Sequence, residues 1–223
     1  MKSFKKSLAI IPVRYNSTRL PGKPLRIING KTILYRVFKN VNGIFDKTII
    51  ATPDEKILKY AKNFAEVYMT SKENVNGSEA CAEVAKNFDS NIVVNVQGDK
   101  PFISKDALRK IVEWDLSTEM ATLVYPIVED SLYNSNRVKA VINGDLAIDY
   151  TREKIDTKWQ SGGVYVYGKD FLMKYKKMER TKREIKEKLE QLRALENGCR
   201  IRAFKVYEEL KSIDSIEDIK KYI

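Results

Sequence analysis

Residues 7–25 read SLAIIPVRYNSTRLPGKPL, a short apolar run that leads into a polar, basic loop. The run over 7–11 predicts a buried β-strand, because it is continuously apolar over few residues and is followed by a proline. A loop over 13–24 comes next, and apolar residues at helical spacing then predict a helix over 31–41. A buried strand, a polar loop and an amphipathic helix in this order are typical of parallel sheets in α/β proteins.

The same alternation continues to residue 96. Strands are predicted over 48–52, 67–70 and 91–96, and helices over 53–64 and 79–88. The pattern predicts an α/β fold of the Rossmann-like type, with a mostly parallel central sheet and helices on both of its faces.

Beyond residue 103 the pattern changes. A helix is predicted over 105–114, followed by strands over 121–126, 137–142, 146–150 and 163–167. Valines alternate with tyrosines over 164–167, which predicts antiparallel strands with one uncovered face that a partner subunit would cover. Helices over 169–177, 183–196 and 215–222 and a strand over 200–206 complete the chain. Since there is no repeat or linker, we expect one domain over 1–223, with 119–168 as a small antiparallel lobe.

The composition excludes several kinds of chemistry. The 223 residues contain 41 Lys and Arg, 30 Asp and Glu, two Cys and no His, for a net charge of +11. Without histidine there is no Ser-His or Cys-His nucleophile and no zinc site that needs imidazole, so any metal must be bound largely by oxygen, and hard cations such as Mg2+ remain open. Cys81 and Cys199 form no CxxC pair, and we expect both to be free and inert.

The positive charge is concentrated in two segments. The first 45 residues hold ten Lys and Arg and no acid, and 174–193 holds nine positive and four negative residues. The second segment is typical of a solvated helix face with Glu and Lys pairs. The first includes Arg14, Arg19 and Lys23 within one loop, which indicates a polyphosphate cradle without Walker glycines, although an exposed basic loop that binds nothing is the alternative.

Two aspartates are candidate Mg2+ ligands. Asp99 follows Gly98 at the end of the fourth predicted strand, where a carboxylate can face the same crevice as the basic loop. The alternative for Asp99 is an ordinary turn residue. Asp214 is a candidate second ligand, and its alternative is a helix N-cap with a capping-box acid after it.

Four motifs carry a family resemblance along the whole chain. IIPVRYNSTRLPGKPL over 10–25, NVQGDKPFI over 95–103, LEQLRALENG over 189–198 and SIDSIEDI over 212–219 resemble, in order, the IPARxxSTRLPGKPL, NVQGDEPxI, LEQLRxLxxG and xVDTPEDL motifs of 3-deoxy-manno-octulosonate (Kdo) cytidylyltransferases. The resemblance implies a nucleotidyltransferase fold and transfer of CMP from CTP to the anomeric hydroxyl of an acidic sugar, with release of pyrophosphate.

The resemblance also implies roles for particular residues. The catalytic and charge-neutralising set is Arg14, Arg19, Lys23, Asp99 and Asp214, and the last two would bind Mg2+. The nucleotide would be bound by Pro12, Arg14, Ser17, Lys23, Asn76 and Gly77. The acceptor would be bound by Arg19, Gln97, Ser161, Tyr165, Glu190 and Gln191. The resemblance further implies a homodimer formed through the antiparallel lobe.

The sequence departs from the family pattern mainly on the acceptor side. Ser161 stands where the family's HxGxY motif has His, Lys100 stands where NVQGDEPxI has Glu, and the loop over 153–160 is short. The segment Ser78–Glu79–Ala80 also lacks an Arg of the family's SGTDR motif. These changes fit either a drifted Kdo enzyme or a paralogue that uses another acidic acceptor, such as a modified 3-deoxy sugar acid or a phosphonate. The glycan pathway stays open.

Two further expectations concern partners and location. A nucleic-acid-binding protein on a decayed fold would use the basic N-terminal segment for phosphates, but it should have lost one of the two aspartates, so we expect no nucleic-acid partner. The apolar run after the basic N-terminus is too short for a signal peptide, and no stretch could span a bilayer. We therefore expect a cytoplasmic protein without a membrane partner.

Overall fold

The computed structural model describes residues 6–16 and 20–222, and these form an α/β fold around one mixed sheet. Its nine strands lie in the order β5-β4-β1-β6-β10-β7-β11-β9-β8. The bounds of these strands, from β5 across to β8, are Glu66–Met69, Lys47–Thr52, Ser7–Pro12, Ile92–Val96, Trp159–Gly168, Met120–Pro126, Ile201–Lys205, Leu146–Thr151 and Lys139–Asn143. A two-stranded hairpin, β2 and β3, is formed by Ile27–Ile28 and Lys31–Thr32. The α/β class predicted from the alternation is confirmed.

The first half of the chain forms the part of the sheet that positions the site. Strand β1 pairs in parallel with β4 on one side and β6 on the other, and β4 pairs in parallel with β5. The connecting helices are α1 (Ile33–Val41), α2 (Glu55–Ala61) and α3 (Gly77–Ala85). Because these strands are parallel, the loops that follow β1 and β6 leave the sheet at the same edge.

Helices cover both faces of the sheet. Alternate residues of the central strands enter two separate apolar layers, one packed against α1, α2 and α4 (Lys105–Val112), the other against α3, α6 (Lys169–Tyr175) and α8 (Glu190–Glu196). Thus Ala9 and Ile11 face the first layer, whereas Leu8 and Ile10 face the second. The remaining helices are α5 (Glu129–Tyr133), α7 (Lys182–Glu187) and α9 (Ile216–Lys220).

The expectation of an uncovered face on the later strands is wrong for β7 and β10. Strand β10 lies between β6 and β7, antiparallel to both, and its residues 164–167 are at most 3% exposed. The valines enter one apolar layer and the tyrosines the other, so both faces are covered by helices of the same chain. The segment 119–168 therefore gives two strands to the interior of the sheet and two, β8 and β9, to its edge region. Its role in a homodimer stays a prediction.

The helix predicted over 183–196 is two helices. Lys188 adopts a left-handed conformation (φ 55°, ψ 50°) that ends α7, and α8 begins at Glu190. This turn places Glu190, Gln191 and Arg193 in the interior, with Arg193 only 1% exposed. The expectation that 174–193 forms a solvated face is therefore wrong at its C-terminal end.

Within the described part of the chain, no helix combines the length and apolar character that crossing a membrane requires. Both cysteines, Cys81 and Cys199, are free as predicted.

Candidate functional site

Two adjoining cavities open beside the loops that follow β1 and β6. The smaller has a volume of about 280 Å3 and the larger about 530 Å3. Asn76, Gly77, Gln97 and Asp99 line both cavities, which makes them one continuous cleft. The cleft therefore lies where ligands bind in open parallel sheets, outside the C-terminal ends of the strands.

The smaller cavity combines the basic loop with the start of α3. Pro12, Arg14 and Lys23 line it from the loop, opposite Asn76 and Gly77. The Asn76 side chain accepts a hydrogen bond of 2.9 Å from Glu79 N and so caps α3. The nine-residue helix α3 thus begins at the cavity, and its N–H groups at Ser78 and Glu79 already donate to Glu190 and Asn76. The helix dipole at this end favours negative charge.

The two loops that form the cavity approach each other closely at Gly98. A Cβ atom added to Gly98 would lie 2.1 Å from Val13 Cγ1 and 3.3 Å from Pro12 O. Only glycine fits at this position without movement of the basic loop. The close approach brings the loop after β1 to the strand end that carries Asp99.

Lys23 lies between the two predicted metal-binding aspartates. Its Nζ is 2.9 Å from Asp99 Oδ2 and 3.4 Å from Asp214 Oδ1, and it also donates to Ile213 O at 3.0 Å. Ile213 N donates in turn to Asp99 O at 3.0 Å, which holds the C-terminal segment against the end of β6. The cap interpretation of Asp214 is wrong, because Ser215 is the N-cap of α9 and forms the capping box with Asp218.

Arg137 is a site residue that the sequence motifs did not indicate. Its guanidinium is 3.3 Å from Asp214 Oδ2 and also bonds to Ser212 Oγ, which donates to Asp214 Oδ2 at 2.7 Å. Arg137 was predicted as the first residue of a strand but lies in the loop before β8, and none of the family motifs quoted above includes it. Asp214 is thus held between two cations that come from distant parts of the chain.

The larger cavity contains the predicted acceptor residues. Tyr165 OH donates to Gln191 Oε1 at 3.1 Å, and Gln97 Nε2 donates to Glu190 Oε1 at 3.0 Å. Glu190 Oε2 accepts from Ser78 N and Ser78 Oγ at 2.7 and 2.9 Å. Burial raises the pKa of Glu190, and the bonds from Ser78 and Gln97 act against that shift.

Several buried polar atoms around the larger cavity lack hydrogen-bond partners. Within residues 6–16 and 20–222, this holds for Asp99 Oδ1, Gln160 Oε1, Ser161 Oγ and Gln191 Nε2. All four residues line the cavity. Because buried polar groups normally have partners, these atoms indicate a binding site for a polar ligand.

Lys100 also lines the larger cavity and is 6% exposed. Its Nζ donates to Leu210 O at 3.2 Å. Burial lowers the pKa of Lys100, and the charges of Asp99 and Asp214 partly oppose that shift.

A buried ion network lies behind the shared wall of the cavities. Arg193 donates to Glu184 with two nitrogens, at 2.7 and 2.9 Å, and lies 2.9 Å from Glu79 Oε1. Its guanidinium also stacks over the Tyr175 ring, 4.6 Å from the centroid. Asn76 Nδ2 donates to Tyr175 OH at 3.1 Å and Glu184 Oε1 at 3.3 Å, so the network connects directly to the capping residue of α3.

The structure brings together every predicted site residue that it describes. The residues placed around the cleft are Pro12, Arg14, Lys23, Asn76, Gly77, Gln97, Asp99, Ser161, Tyr165, Glu190, Gln191 and Asp214. The predictions for Ser17 and Arg19 fall outside the described residues.

The donor set suits a hard divalent cation. Asp99 and Asp214 direct carboxylate oxygens at the same ammonium nitrogen, and Asp99 Oδ1 is buried without a partner among the described residues. Mg2+ is commonly bound by one or two carboxylates together with water and substrate phosphates. The same residues contain no cluster of three or more Asp, Glu, Cys or His side chains suited to a metal. Two aspartates therefore fit a cation whose remaining ligands come from substrate and water.

The chain is similar in sequence to known proteins over almost its whole length. A family model described as cytidylyltransferase matches residues 8–208, and together with the fold and the cleft it defines a nucleotidyltransferase. The 3-deoxy-manno-octulosonate cytidylyltransferase of Pelobacter propionicus is 38% identical over 96% of this chain and 94% of its own length. That of Fusobacterium nucleatum is 36% identical over 98% of this chain and 96% of its own length. The chain belongs to the 3-deoxy-manno-octulosonate cytidylyltransferase family.

Solved structures agree with this assignment. The structure of CMP:2-keto-3-deoxy-manno-octonic acid synthetase complexed with CTP has a TM-score of 0.88 and 29% identity, and the match covers 97% of this chain and 96% of that one. The inositol-1-phosphate CTP transferase from T. maritima has a TM-score of 0.71 at 15% identity, over 100% of this chain and 95% of that one, and shows the shared fold alone.

Proposed function

We propose that this protein transfers CMP from CTP to the anomeric hydroxyl of Kdo or a closely related acidic 3-deoxy sugar and releases pyrophosphate. The observation that carries the proposal is the single cleft in which Lys23, Asp99 and Asp214 lie between a smaller, basic cavity and a larger, polar one. The names of the relatives, and the CTP with which the related synthetase is complexed, support the identity of the two substrates.

The smaller cavity would bind the nucleotide. Arg14 and Lys23 supply cations beside Gly77, the first residue of α3. The N–H groups of Ser78 and Glu79 already donate to Glu190 and Asn76, so the helix would contribute its dipole more than free donors. A Cβ added to Gly77 would lie 3.1 Å from Pro12 Cγ and 3.2 Å from Asn95 Nδ2, so the backbone at the start of α3 is packed closely against the loop after β1. Ser17 and Arg19 complete the phosphate-binding set that the family motif implies.

The reaction is a displacement at the α-phosphorus of CTP. The sugar hydroxyl loses its proton to solvent, its oxygen forms a new bond to the α-phosphorus, and the bond from the α-phosphorus to the bridging oxygen of the β-phosphate breaks. Pyrophosphate leaves with that bonding electron pair. Both substrates are anionic, so the chain must mainly align the two reacting atoms and neutralise charge.

The chain's own residues can meet those needs without histidine. Lys23 and Arg14 lie where they can neutralise the triphosphate and the leaving pyrophosphate. Asp99 and Asp214 would hold Mg2+, which would neutralise phosphate charge and lower the pKa of a nearby hydroxyl. Arg137 and Ser212 keep the Asp214 carboxylate oriented.

The larger cavity would bind the acceptor. Glu190 and Gln191 are oriented by buried hydrogen bonds to Ser78, Gln97 and Tyr165. The polar atoms that lack partners around this cavity match a ligand that carries several hydroxyl groups and an acid.

The test is pyrophosphate release by the purified protein with CTP and Mg2+ across a panel of acidic acceptors that includes Kdo. We expect release that requires CTP, Mg2+ and a sugar acid together. Failure with every acid would refute the proposal, and failure with Kdo but activity with another acid would establish the paralogue.

Ser161 and Lys100 favour that second candidate, because both depart from the family motifs and both line the acceptor cavity. A nucleic-acid-binding role predicts the loss of one aspartate, whereas Asp99 and Asp214 both lie within ion-pair distance of Lys23. A gel-shift assay with DNA and RNA tests that role.

A further inference from the structure

Lys100 is a buried lysine that lacks an ion-pair partner within the described residues. The side chain is 6% exposed, and within the described residues its ammonium has one hydrogen-bond partner, the carbonyl oxygen of Leu210 at 3.2 Å. An ammonium has three N–H donors, and a buried charge is costly without a counterion and further hydrogen bonds. Two donors are therefore available at a position where water is largely excluded.

The neighbouring carboxylates are already used by other cations. Asp99 Oδ2 bonds to Lys23, and Asp214 bonds to Lys23 and Arg137. No Asp or Glu oxygen of the described residues lies within 4.0 Å of Lys100 Nζ, the ion-pair limit. The chain thus leaves Lys100 without an ion-pair partner of its own.

The backbone of β10 makes room for Lys100. Gly163 has a positive φ of 67°, and a Cβ added there would lie 2.5 Å from Lys100 Cε. The pairing of β10 with β7 is irregular over the same stretch, between Ser161 and Tyr165. The Lys100 side chain therefore packs against β10, the strand that also carries Ser161.

Lys100 belongs to the acceptor side of the cleft. It lines the larger cavity and not the smaller one, within the part of the chain that the structure describes. Ser161 Oγ and Gln191 Nε2, two buried donors without partners in the described residues, line the same cavity. Three side chains with unused donors, Lys100, Ser161 and Gln191, line one cavity, which indicates an anionic group on the ligand that fills it.

We infer that Lys100 binds the carboxylate of the acceptor sugar acid, with Ser161 as a second donor, and so selects acidic over neutral acceptors. This inference rests on the proposed function, because it assigns a residue to the acid of the proposed acceptor. The triphosphate is the other anion in the reaction, and its cavity contains Arg14 and Lys23 instead.

The experiment compares Lys100→Met with wild type, using Kdo and the neutral C1 carboxamide of Kdo as probes. Affinities are measured by calorimetry in the presence of Mg2+ and a non-hydrolysable CTP analogue, and kcat/KM by pyrophosphate release. We expect Lys100→Met to weaken Kdo binding about 10- to 100-fold, the value of a charged hydrogen bond, and to leave carboxamide binding within about threefold. Lys110→Met is the control, because Lys110 is an exposed lysine on α4 that lines neither cavity and should change Kdo binding less than about threefold.

The alternatives give different results. If Lys100 only supports the fold, Lys100→Met weakens the binding of Kdo and of its carboxamide equally. If Lys100 binds phosphate, the KM for CTP rises while the affinity for Kdo is unchanged. Either result overturns the inference. Lys100→Arg, which keeps the charge, should retain the preference for Kdo over its carboxamide, and it provides the test if Lys100→Met does not fold. Calorimetry also separates the two proposals. If wild type turns over Kdo and Lys100→Met binds Kdo as tightly as wild type does, this inference alone is refuted. Absence of pyrophosphate release with every acid refutes the proposed function. The calorimetric comparison of wild type with Lys100→Met still decides the role of Lys100 in that case. If the wild-type protein binds no sugar acid, the inference is refuted as well.

Discussion

Lys23 Nζ lies 2.9 Å from Asp99 Oδ2, although the two residues are 76 positions apart in the chain. This ion pair connects the loop after β1 with the loop after β6, and Asp214 joins it from the C-terminal segment. The basic loop is therefore not simply a positive surface. One of its cations is shared with the carboxylates that separate the two cavities.

Asp99→Asn should reduce kcat by more than about a hundredfold while the fold remains intact, because the amide keeps the shape of the side chain and removes its charge. Steady-state pyrophosphate release and circular dichroism measure the two effects. Asp106→Asn is the matched control, since Asp106 is an exposed carboxylate on α4 that pairs only with Arg109 among the described residues. A normal rate for Asp99→Asn with CTP and Mg2+ would remove the metal hypothesis.

Gly98→Ala should raise the KM for CTP and lower the free energy of unfolding by about 1–3 kcal/mol, because the new methyl group collides with Val13 Cγ1. The double variant Gly98→Ala, Val13→Ala should recover part of both losses, since it removes the colliding atom. Gly168→Ala serves as control, because its added Cβ meets nothing closer than 3.6 Å. No rescue in the double variant would show that the collision is not the cause.

Arg193→Met should lower the free energy of unfolding by about 3–5 kcal/mol, because it takes the buried cation from Glu79 and leaves Glu184 with the partly exposed Arg180 at 3.5 Å. Arg183→Met should cost under about 1 kcal/mol, since Arg183 makes ion pairs at a partly exposed position. Urea denaturation of the two variants gives both values. Equal losses would mean that burial of the Arg193 network does not matter.

Glu190 should make stability depend on pH. Burial raises its pKa in the folded protein above the ordinary 4.5, so the stability linked to its protonated form is present below that value and is lost as the pH rises through the folded pKa. The unfolding free energy of wild type, minus that of Glu190→Gln, should therefore fall as the pH rises from about 4 to about 8. A difference that is constant with pH would show that Glu190 is ionised as easily in the folded state as in the unfolded one.

The sequence was most informative where chemistry and local pattern coincide. Lys23 and Asp99 were predicted at one site because parallel strands bring their loops to one edge, and the family resemblance added Asp214 as the second metal ligand. The helices and strands of the first half follow from apolar periodicity, apart from shifts of a few residues at their ends.

Long-range packing explains what the sequence did not reveal. The insertion of β10 between β6 and β7 depends on pairing between strands distant in the chain, and alternation within β10 cannot distinguish one buried face from two. Arg193 carries a charge that is usually solvated, and only its contacts with Glu184 and Glu79 make its burial tolerable. The helix predicted over 183–196 ends at Lys188 because that residue adopts a left-handed conformation. Glycine or asparagine usually marks such a position in a sequence, and a lysine does not.

The most direct test of the account is the stoichiometry of the products formed from CTP, Mg2+ and Kdo by the purified protein. Phosphorus NMR and mass spectrometry would measure the new phosphodiester and the pyrophosphate in the same sample. We expect one CMP–sugar conjugate for each pyrophosphate released, and neither product when the sugar acid is omitted. Release of inorganic phosphate, or of pyrophosphate without a CMP conjugate, would contradict cytidylyl transfer.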